Sequence, residues 1–322
     1  MKKNLPIFLF LITLILFATN VRAQEQRTLV VIPPKLELSV KPGESVQEVI
    51  RYKNQTSDTV EVAVGMSDFL VKDVSGTVEL VNPEEAGDWA LSQWLTFSPT
   101  SLTIPPDGEG RVNVFIAVPA DALPGGRYAS IYFTSPGAVV EGQTGTSIAT
   151  EIRNLVLLRV EGPINEEALV RRFQTPRFSE FGPIQFLTEI ANLGDYHIRP
   201  IGSIEIKNIL GKTEANLELE ERNIFPTSSQ EYKNTWEKKW LFGRYQATLT
   251  ATYGEQNLPL TATIFFWVWP MKYTLAVLGL IALFIILLFL VKKIKNRQEM
   301  KAEVVEEELE EETPAEEKKT RK

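Results

Sequence analysis

The chain has 322 residues, with 34 Lys and Arg against 41 Asp and Glu, a formal net charge of -7 at pH 7 and 44% hydrophobic residues. The length leaves room for two ordinary domains, and the hydrophobic content excludes a wholly disordered or collagen-like protein. The absence of cysteine excludes disulfides, iron–sulfur clusters, thiolate zinc sites and cysteine nucleophiles, and a single histidine excludes any site that needs two. The acidic balance argues against nucleic-acid binding, which needs a concentrated cationic surface.

The N-terminus has the order of a secretory signal peptide. A pair of lysines precedes an apolar run over 5–18, and the small residues Val21 and Ala23 form a cleavage-like site. We therefore predict a signal peptide over residues 1–23, cleaved after Ala23. The alternative is an uncleaved anchor, for which the apolar run is short.

Residues 24–161 contain several short runs in which apolar and polar side chains alternate, each bounded by Pro, Gly, Asn or Asp. A period of two predicts strands that bury one face, and there is no long helical period. We predict a first antiparallel β-sandwich, Ig-like, with strands that include 36–40, 60–66 and 112–118. A short helix-like piece is expected around 87–93, leading into Trp94.

A break at Gly162-Pro163 precedes a second set of alternating runs, and a central strand would not tolerate this turn chemistry. We place a domain boundary there. Residues 162–269 are predicted to form a second sandwich, Ig-like or fibronectin-like, with strands at 184–190, 247–253 and 260–268. The ectodomain is thus predicted to be all-β.

Two short patterns occur in both predicted sandwiches. A strand ends in Asn54 or Asn192 before a turn, and Gly-Arg-Tyr opens a strand at 126–128 and at 243–245. These matches favour two sandwiches built on one plan.

The stretch 273–291 contains no charge over 19 residues, which at ~1.5 Å per residue covers ~28 Å, close to one hydrocarbon thickness. We predict a single transmembrane α-helix there; the alternative, a buried core helix, is rarely apolar on all sides for so long. Basic residues follow the span directly, so the positive-inside rule predicts a single-pass type I protein of the cell membrane with a cytoplasmic C-terminus. Five residues are expected to anchor the span at the membrane interfaces: Trp267, Trp269, Tyr273, Lys292 and Lys293.

The remaining residues, 292–322, begin basic and then become rich in glutamate. Like charges at this density repel one another and do not build a core. We predict a disordered cytoplasmic acidic tail, at most transiently helical. A docking site for a cytoplasmic partner is the alternative.

Several segments of the first domain match a known pattern: LELSVKPGE at 36–44, the turn at Asn54, WLTFSP at 94–99, and VP at 118–119 leading to PGGRY at 124–128. Through them residues 28–160 resemble the Ig-like domains of the PapD-like pilus-chaperone superfamily. The order of signal peptide, such a domain, a second sandwich, one membrane helix and a basic stop resembles the WxL-interacting bacterial surface proteins. That resemblance implies a first domain that binds peptidoglycan or a surface partner and a second domain that meets host ligands. The glutamate-rich tail departs from the family.

Catalytic chemistry is not expected. The lone His197 lies in a predicted turn without a nucleophile elbow, and the sequence contains neither a calcium loop nor a glycine-rich phosphate loop. We predict a protein that is not an enzyme, with no cofactor, no metal and no nucleic-acid partner.

Four residues are candidates for partner binding. Trp89 lies in an Asp- and Gly-containing loop, where an indole could stack on a sugar ring. Ile148, Ile152 and Val156 share one side of a long strand that follows a flexible loop at 137–145. In the chaperones that this domain resembles, such a strand is offered to a partner chain by strand addition. The alternative is that 148–160 merely closes the sandwich.

These observations favour a membrane-anchored binding or scaffold protein that recognises a cell-wall polymer or a surface protein through its first sandwich, with membrane lipid contacted by one helix. Two alternatives stay open: an extracytoplasmic assembly chaperone that acts by strand addition, and an accessory subunit of a membrane complex. The sequence leaves the oligomeric state undetermined.

Overall fold

The structure is a computed structural model that describes residues 29–135 and 150–312. The predicted signal peptide and the loop at 137–145 lie outside the described residues.

The chain divides into two compact units. The first contains the described residues up to Leu169 together with Ile190–Arg199 and Arg222–Gln230. The second contains Val170–Glu189, Pro200–Glu221 and the described residues from Glu231 onward.

The first sandwich is formed by ten strands. They are β1 (Leu29–Ile32), β2 (Lys35–Val40), β3 (Ser45–Asn54), β4 (Val60–Val71), β5 (Val78–Val81), β6 (Leu95–Ser98), β7 (Ser101–Ile104), β8 (Glu109–Ala117), β9 (Gly125–Ser135) and β10 (Thr150–Val160). One sheet has the order β1-β3-β8-β6, and the other has the order β2-β10-β9-β4-β5 with β7 beside β4. The predicted all-β sandwich is confirmed.

The core of this sandwich follows from the period-two pattern, because every second residue of the central strands points inward. Ile50, Val112 and Val114 have no exposed surface, and Tyr52 stacks on Phe133 with ring centroids 5.0 Å apart. Burial of each such side chain stabilises the fold by about 1.5–3 kcal/mol.

The second sandwich is formed by eight strands. They are β11 (Ala168–Gln174), β12 (Phe178–Ser179), β13 (Ile184–Asn192), β14 (Ile201–Asn208), β15 (Thr213–Glu218), β16 (Ser229–Trp236), β17 (Gly243–Tyr253) and β18 (Leu258–Val268). One sheet has the order β11-β13-β16 and the other β12-β18-β17-β14-β15. The strands predicted from alternation in this half are all present.

Asn54 and Asn192 make equivalent hydrogen bonds at the ends of β3 and β13. Both are fully buried, and each Oδ1 accepts the backbone N–H two residues on, at 2.9 Å. Each Nδ2 donates to the carbonyl four residues on, at 2.8 Å, and to a distant one, that of Ile104 at 3.1 Å or of Ile224 at 2.8 Å. Asn54 also begins an Asn-Gln-Thr glycosylation sequon, and because its amide is buried and bonded, its role in the folded chain is this turn.

The helix-like piece predicted at 87–93 consists of two 3₁₀ turns, and a short α-helix precedes it. Helix α1 (Pro83–Ala86) is capped by Asn82, and two 3₁₀ turns follow at Gly87–Trp89 and Ser92–Trp94. The buried carboxylate of Asp68 on β4 holds this segment against the sheet. It accepts hydrogen bonds from the backbone N–H groups of residues 91 and 92 at 2.8 and 2.7 Å and from the Ser92 hydroxyl at 2.5 Å.

Helix α2 runs from Met271 to Glu312 without interruption. Its part Met271–Gln298 is the one helix among residues 29–135 and 150–312 that is long and apolar enough to cross a membrane. Residues 292–312, where we predicted a disordered tail that is at most transiently helical, continue this helix. Adding a residue to an existing helix carries no nucleation cost, and Glu, Lys, Gln and Ala are good helix formers. Residues 313–322 lie outside the described part of the chain.

Candidate functional site

Strand β10 is paired differently along its two edges. On one edge it pairs antiparallel with β9 over its whole length, from Thr150 to Val160. On the other it pairs parallel with β2 only from Leu155 to Val160. Within the described residues, the edge of Thr150–Asn154 opposite β9 therefore has no strand partner. We call this edge the open edge.

The open edge results from a crossover in the first strand segment. β1 pairs with β3 in one sheet, and β2 joins the other sheet beside β10. Pro33 and Pro34 lie between them, and because proline has no N–H it interrupts strand pairing. Strand pairing along this edge of β10 consequently starts at Leu155, whose N–H donates to the Pro34 carbonyl at 3.3 Å.

The backbone groups at the open edge belong to Glu151 and Arg153. Successive residues of a strand direct their N–H and C=O groups to opposite edges. Since the Leu155 N–H points toward the β2 side, those of residues 153 and 151 point the same way. Their side chains form an exposed ion pair, with Arg153 Nε 2.6 Å from Glu151 Oε1.

The candidate residues of β10 differ in accessibility. Ile152 is half-buried and packs against the main core of the first sandwich. Val156 is fully buried and is paired on both sides, with Ala129 and Leu36. Val156 is thus a core residue, out of reach of a partner in this fold. Ile148 lies outside the described residues.

Trp89 is not close to the open edge. It is half-buried against a second cluster that contains Tyr128 and Leu157, with its ring centroid 6.5 Å from that of Tyr128. Leu157 and Val156 point to opposite faces of the same sheet. The structure therefore does not bring Trp89 together with Ile152, and the loop composition that suggested a surface indole did not reveal this packing.

The neighbouring edge strand β2 carries a larger charged cluster than the single Glu151–Arg153 ion pair of the open edge. Glu37 Oε1 is 2.5 Å from Lys35 Nζ and 2.8 Å from Arg199 Nη2. Burial tends to raise the pKa of Glu37, but the Lys35 hydrogen bond and the charges of Lys35 and Arg199 together lower it. Charged side chains on an edge strand discourage pairing with another chain. The limits of the open edge were not predicted from the sequence, although the Pro-Pro pair after β1 was a signal for them.

His197 is a buried structural residue. Its backbone N–H donates to the Tyr128 hydroxyl at 2.9 Å, and its ring Nε2 lies 3.9 Å from Glu37 Oε1. Burial lowers its pKa to about 4 against the usual 6.5, in spite of the opposing charge of Glu37. Among the described residues, no group of three or more His, Asp and Glu could hold a metal ion.

The predicted membrane anchors lie at the two ends of the apolar span. Trp267 is the penultimate residue of β18, Trp269 follows the strand, and Tyr273 is in the first turn of α2; all three are exposed. Lys292 and Lys293 lie on α2 at the far end of the span and are also exposed. Along the helix, Tyr273 and Lys292 are separated by ~28 Å.

No family model and no curated protein matches the sequence. Among solved structures, the chain is similar to the class 5 fimbriae chaperone CfaA, with 12% identity over 73% of this chain and 98% of that one and a TM-score of 0.40. It is similar to the E. coli chaperone DraB, with 12% identity over 76% and 98% and a TM-score of 0.36. It is also similar to the Salmonella enterica SafA pilin in complex with the SafB chaperone, with 8% identity over 75% and 99% and a TM-score of 0.36.

Proposed function

We propose that the protein is a non-enzymatic, membrane-anchored binding protein that captures a partner polypeptide by strand addition at the open edge. The observation that carries this proposal is the one-sided pairing of Thr150–Asn154. The N–H and C=O groups of Glu151 and Arg153 are directed to the side where a partner strand would lie. Such pairing derives its affinity from backbone hydrogen bonds and its specificity from the alternating side chains.

Ile152 supports a polypeptide as the partner. Its side chain is half-buried at the rim of the core, so a strand added beside it would cover the remaining apolar surface. Exported chains that have not finished folding expose unpaired apolar strands of this kind. An assembly chaperone is therefore the form of capture that the open edge favours, and a folded surface protein with a free strand would bind in the same way.

Recognition of a cell-wall polymer is less well supported. Sugar binding commonly uses an exposed aromatic face, but Trp89 and Trp94, the tryptophans of the first sandwich, are both half-buried. Within the described part of the first sandwich, the exposed aromatic side chain is that of Phe115.

We propose further that the chain is exported by a signal peptide cleaved after Ala23 and is held as a single-pass type I protein, with the sandwiches outside the cell membrane and the C-terminus in the cytoplasm. The apolar span and the basic residues after it support this topology. The order of segments supports a protein of the WxL-interacting type. An accessory subunit of a membrane complex would instead bind its partners through α2.

The test compares two substitutions at one position of the open edge. Arg153→Pro removes the outward N–H, whereas Arg153→Ala removes the ion pair with Glu151 and keeps the backbone intact. The full chain and both variants are incubated with membrane extract and with intact wall material, and hydrogen exchange is measured on the complexes. We expect capture of polypeptides by the wild type and by Arg153→Ala, loss of capture by Arg153→Pro, and slowed exchange at residues 151 and 153.

Unchanged capture by a folded Arg153→Pro variant would exclude strand addition at this edge. Retention of wall material alone, equally by all three chains, would favour polymer binding instead. Loss of capture by both variants would assign the binding to the charged side chains and would also contradict the proposal.

A further inference from the structure

The outward face of β18 changes character along its length. From the end distant from α2 its exposed residues are Pro259, Thr261 and Thr263, then Phe265 and Trp267, and Trp269 follows just after the strand. The intervening residues Phe266 and Val268 are fully buried. A sheet face that meets water normally carries polar side chains, as the two threonines do. The three aromatic residues nearest the helix therefore require a different neighbour.

Residues from other segments extend this surface. Phe178 of β12 lies opposite Trp267 in the parallel pairing of β12 with β18 and is 50% exposed. Phe242 is 58% exposed, and its ring centroid is 6.5 Å from that of Trp269. We call the five residues Phe178, Phe242, Phe265, Trp267 and Trp269 the aromatic face.

A cation lies on the aromatic face. The guanidinium of Arg244 is 4.3 Å from the ring centroid of Phe265, and Arg244 is paired with Trp267 in the ladder of β17 and β18. No carboxylate of the described residues forms an ion pair with it. A flat guanidinium next to aromatic rings suits a phosphate at an interface, where the rings contact the acyl and glycerol region.

The aromatic face is continuous with the start of α2. Only Trp269 and Pro270 separate β18 from the helix, and Trp269 Nε1 donates to Thr274 Oγ1 at 2.8 Å. Tyr273 packs edge-on against Phe181 at 5.7 Å. Phe265 is six residues before Met271, so it lies within ~20 Å of the helix start, even along a fully extended chain.

We propose that the aromatic face is a membrane-docking surface. Through it the second sandwich contacts the lipid headgroup layer of the leaflet that α2 enters, with Arg244 at the level of the lipid phosphates. This inference rests on the membrane anchor of the proposed function. Lipid is the occupant because the face begins where the apolar span begins, and because the change from threonine to aromatic residues follows the approach to that span. Docking would restrict the tilt of the second sandwich at the membrane surface.

The lack of cysteine in the chain allows a direct test by single-cysteine spin labelling. The full chain is reconstituted in vesicles of phosphatidylcholine and phosphatidylglycerol with one nitroxide at Phe178→Cys, Phe265→Cys, Thr261→Cys or Leu283→Cys. Collisions with oxygen, which concentrates in lipid, are compared with collisions with a water-soluble nickel chelate. Thr261 is the matched control, because it lies on the same outward face of the same strand as Phe265, ~13 Å farther from the helix.

We expect the labels at Phe178 and Phe265 to be more accessible to oxygen than to the nickel chelate, and the label at Thr261 to show the reverse. The label at Leu283, in the middle of the span, reports on the anchor itself. If it is in lipid while the labels at Phe178 and Phe265 are as accessible to the nickel chelate as the one at Thr261, docking is refuted and the anchor stands. If the Leu283 label is in water, the anchor of the proposed function fails, and docking fails with it. Spin–spin broadening at Phe265, with exclusion of both quenchers, would identify a second copy as the occupant and would refute lipid docking.

Discussion

Truncation of Asn54 to alanine tests how much the hydrogen bonds of its buried side chain stabilise the turn after β3. The side-chain amide donates to the carbonyls of Asp58, Ile104 and Pro105 at 2.8, 3.1 and 3.1 Å. Its oxygen accepts the N–H and the hydroxyl of Thr56 at 2.9 and 2.7 Å. Water can replace some of the four partly buried bonds, but the Ile104 carbonyl is buried and loses its bond to this amide.

The buried Ile104 carbonyl left without its bond costs about 1–3 kcal/mol, and one or two of the partly buried bonds cost ~1 kcal/mol each, so we expect a loss of ~3 kcal/mol for Asn54→Ala. For a unit of this size such a loss lowers Tm by ~6–12 °C. The free energy of unfolding is measured on the full chain in detergent by urea titration followed by tryptophan fluorescence. Gln47→Ala is the control, since Gln47 is an exposed amide on the same strand, and we expect it to stay within ~0.5 kcal/mol of the wild type.

Asn192→Ala extends the same test to the second occurrence of the motif. Three of the five hydrogen bonds of Asn54, including the one to a buried distant carbonyl, recur at Asn192, so we expect a loss of ~2–3 kcal/mol. If Asn54→Ala lowers the free energy of unfolding by no more than Gln47→Ala does, the conclusion that Asn54 and Asn192 stabilise the two turns is refuted.

Two further predictions concern His197 and Gly202. Burial lowers the pKa of His197 to about 4 from 6.5. The free energy of unfolding should therefore be at its full value above pH 6.5 and should fall by ~3 kcal/mol as the pH drops toward 4. Urea titrations at pH 7 and 4.5 should show a smaller loss of stability in His197→Gln than in the wild type, and an equal loss in both would contradict this prediction. A methyl group at Gly202 would lie 2.2 Å from the Thr250 carbonyl oxygen, which is a steric clash. Because this clash disrupts the β14–β17 pairing, Gly202→Ala should lower the free energy of unfolding by ~2 kcal/mol. The control is Gly279→Ala, where nothing lies within 4 Å, and equal stability of the two variants would rule out this clash.

The elements of regular structure were predictable because their signals are local. Alternation over five to nine residues identifies a strand with one buried face, as at 112–118 or 260–268, without knowledge of what covers that face. The span at 273–291 was identified in the same way, from composition and length. The helical continuation over 292–312 was not, because the charge density of an isolated tail favours disorder, whereas the preceding span supplies the nucleus of this helix.

The sequence by itself determined the all-β character, the apolar span and the pairs of repeated turn motifs, since each depends on neighbours within a few residues. Only the tertiary structure decided which part of β10 has an edge free for pairing with another strand. Residues 35–40 cover the edge of 155–160 from more than a hundred residues away, and a period of two is the same for a covered and an uncovered strand. The separation of Val156 in the core from Glu151 and Arg153 at the open edge is therefore a property of long-range pairing. The aromatic face has the same origin, because β12 and β18 bring Phe178 beside Trp267.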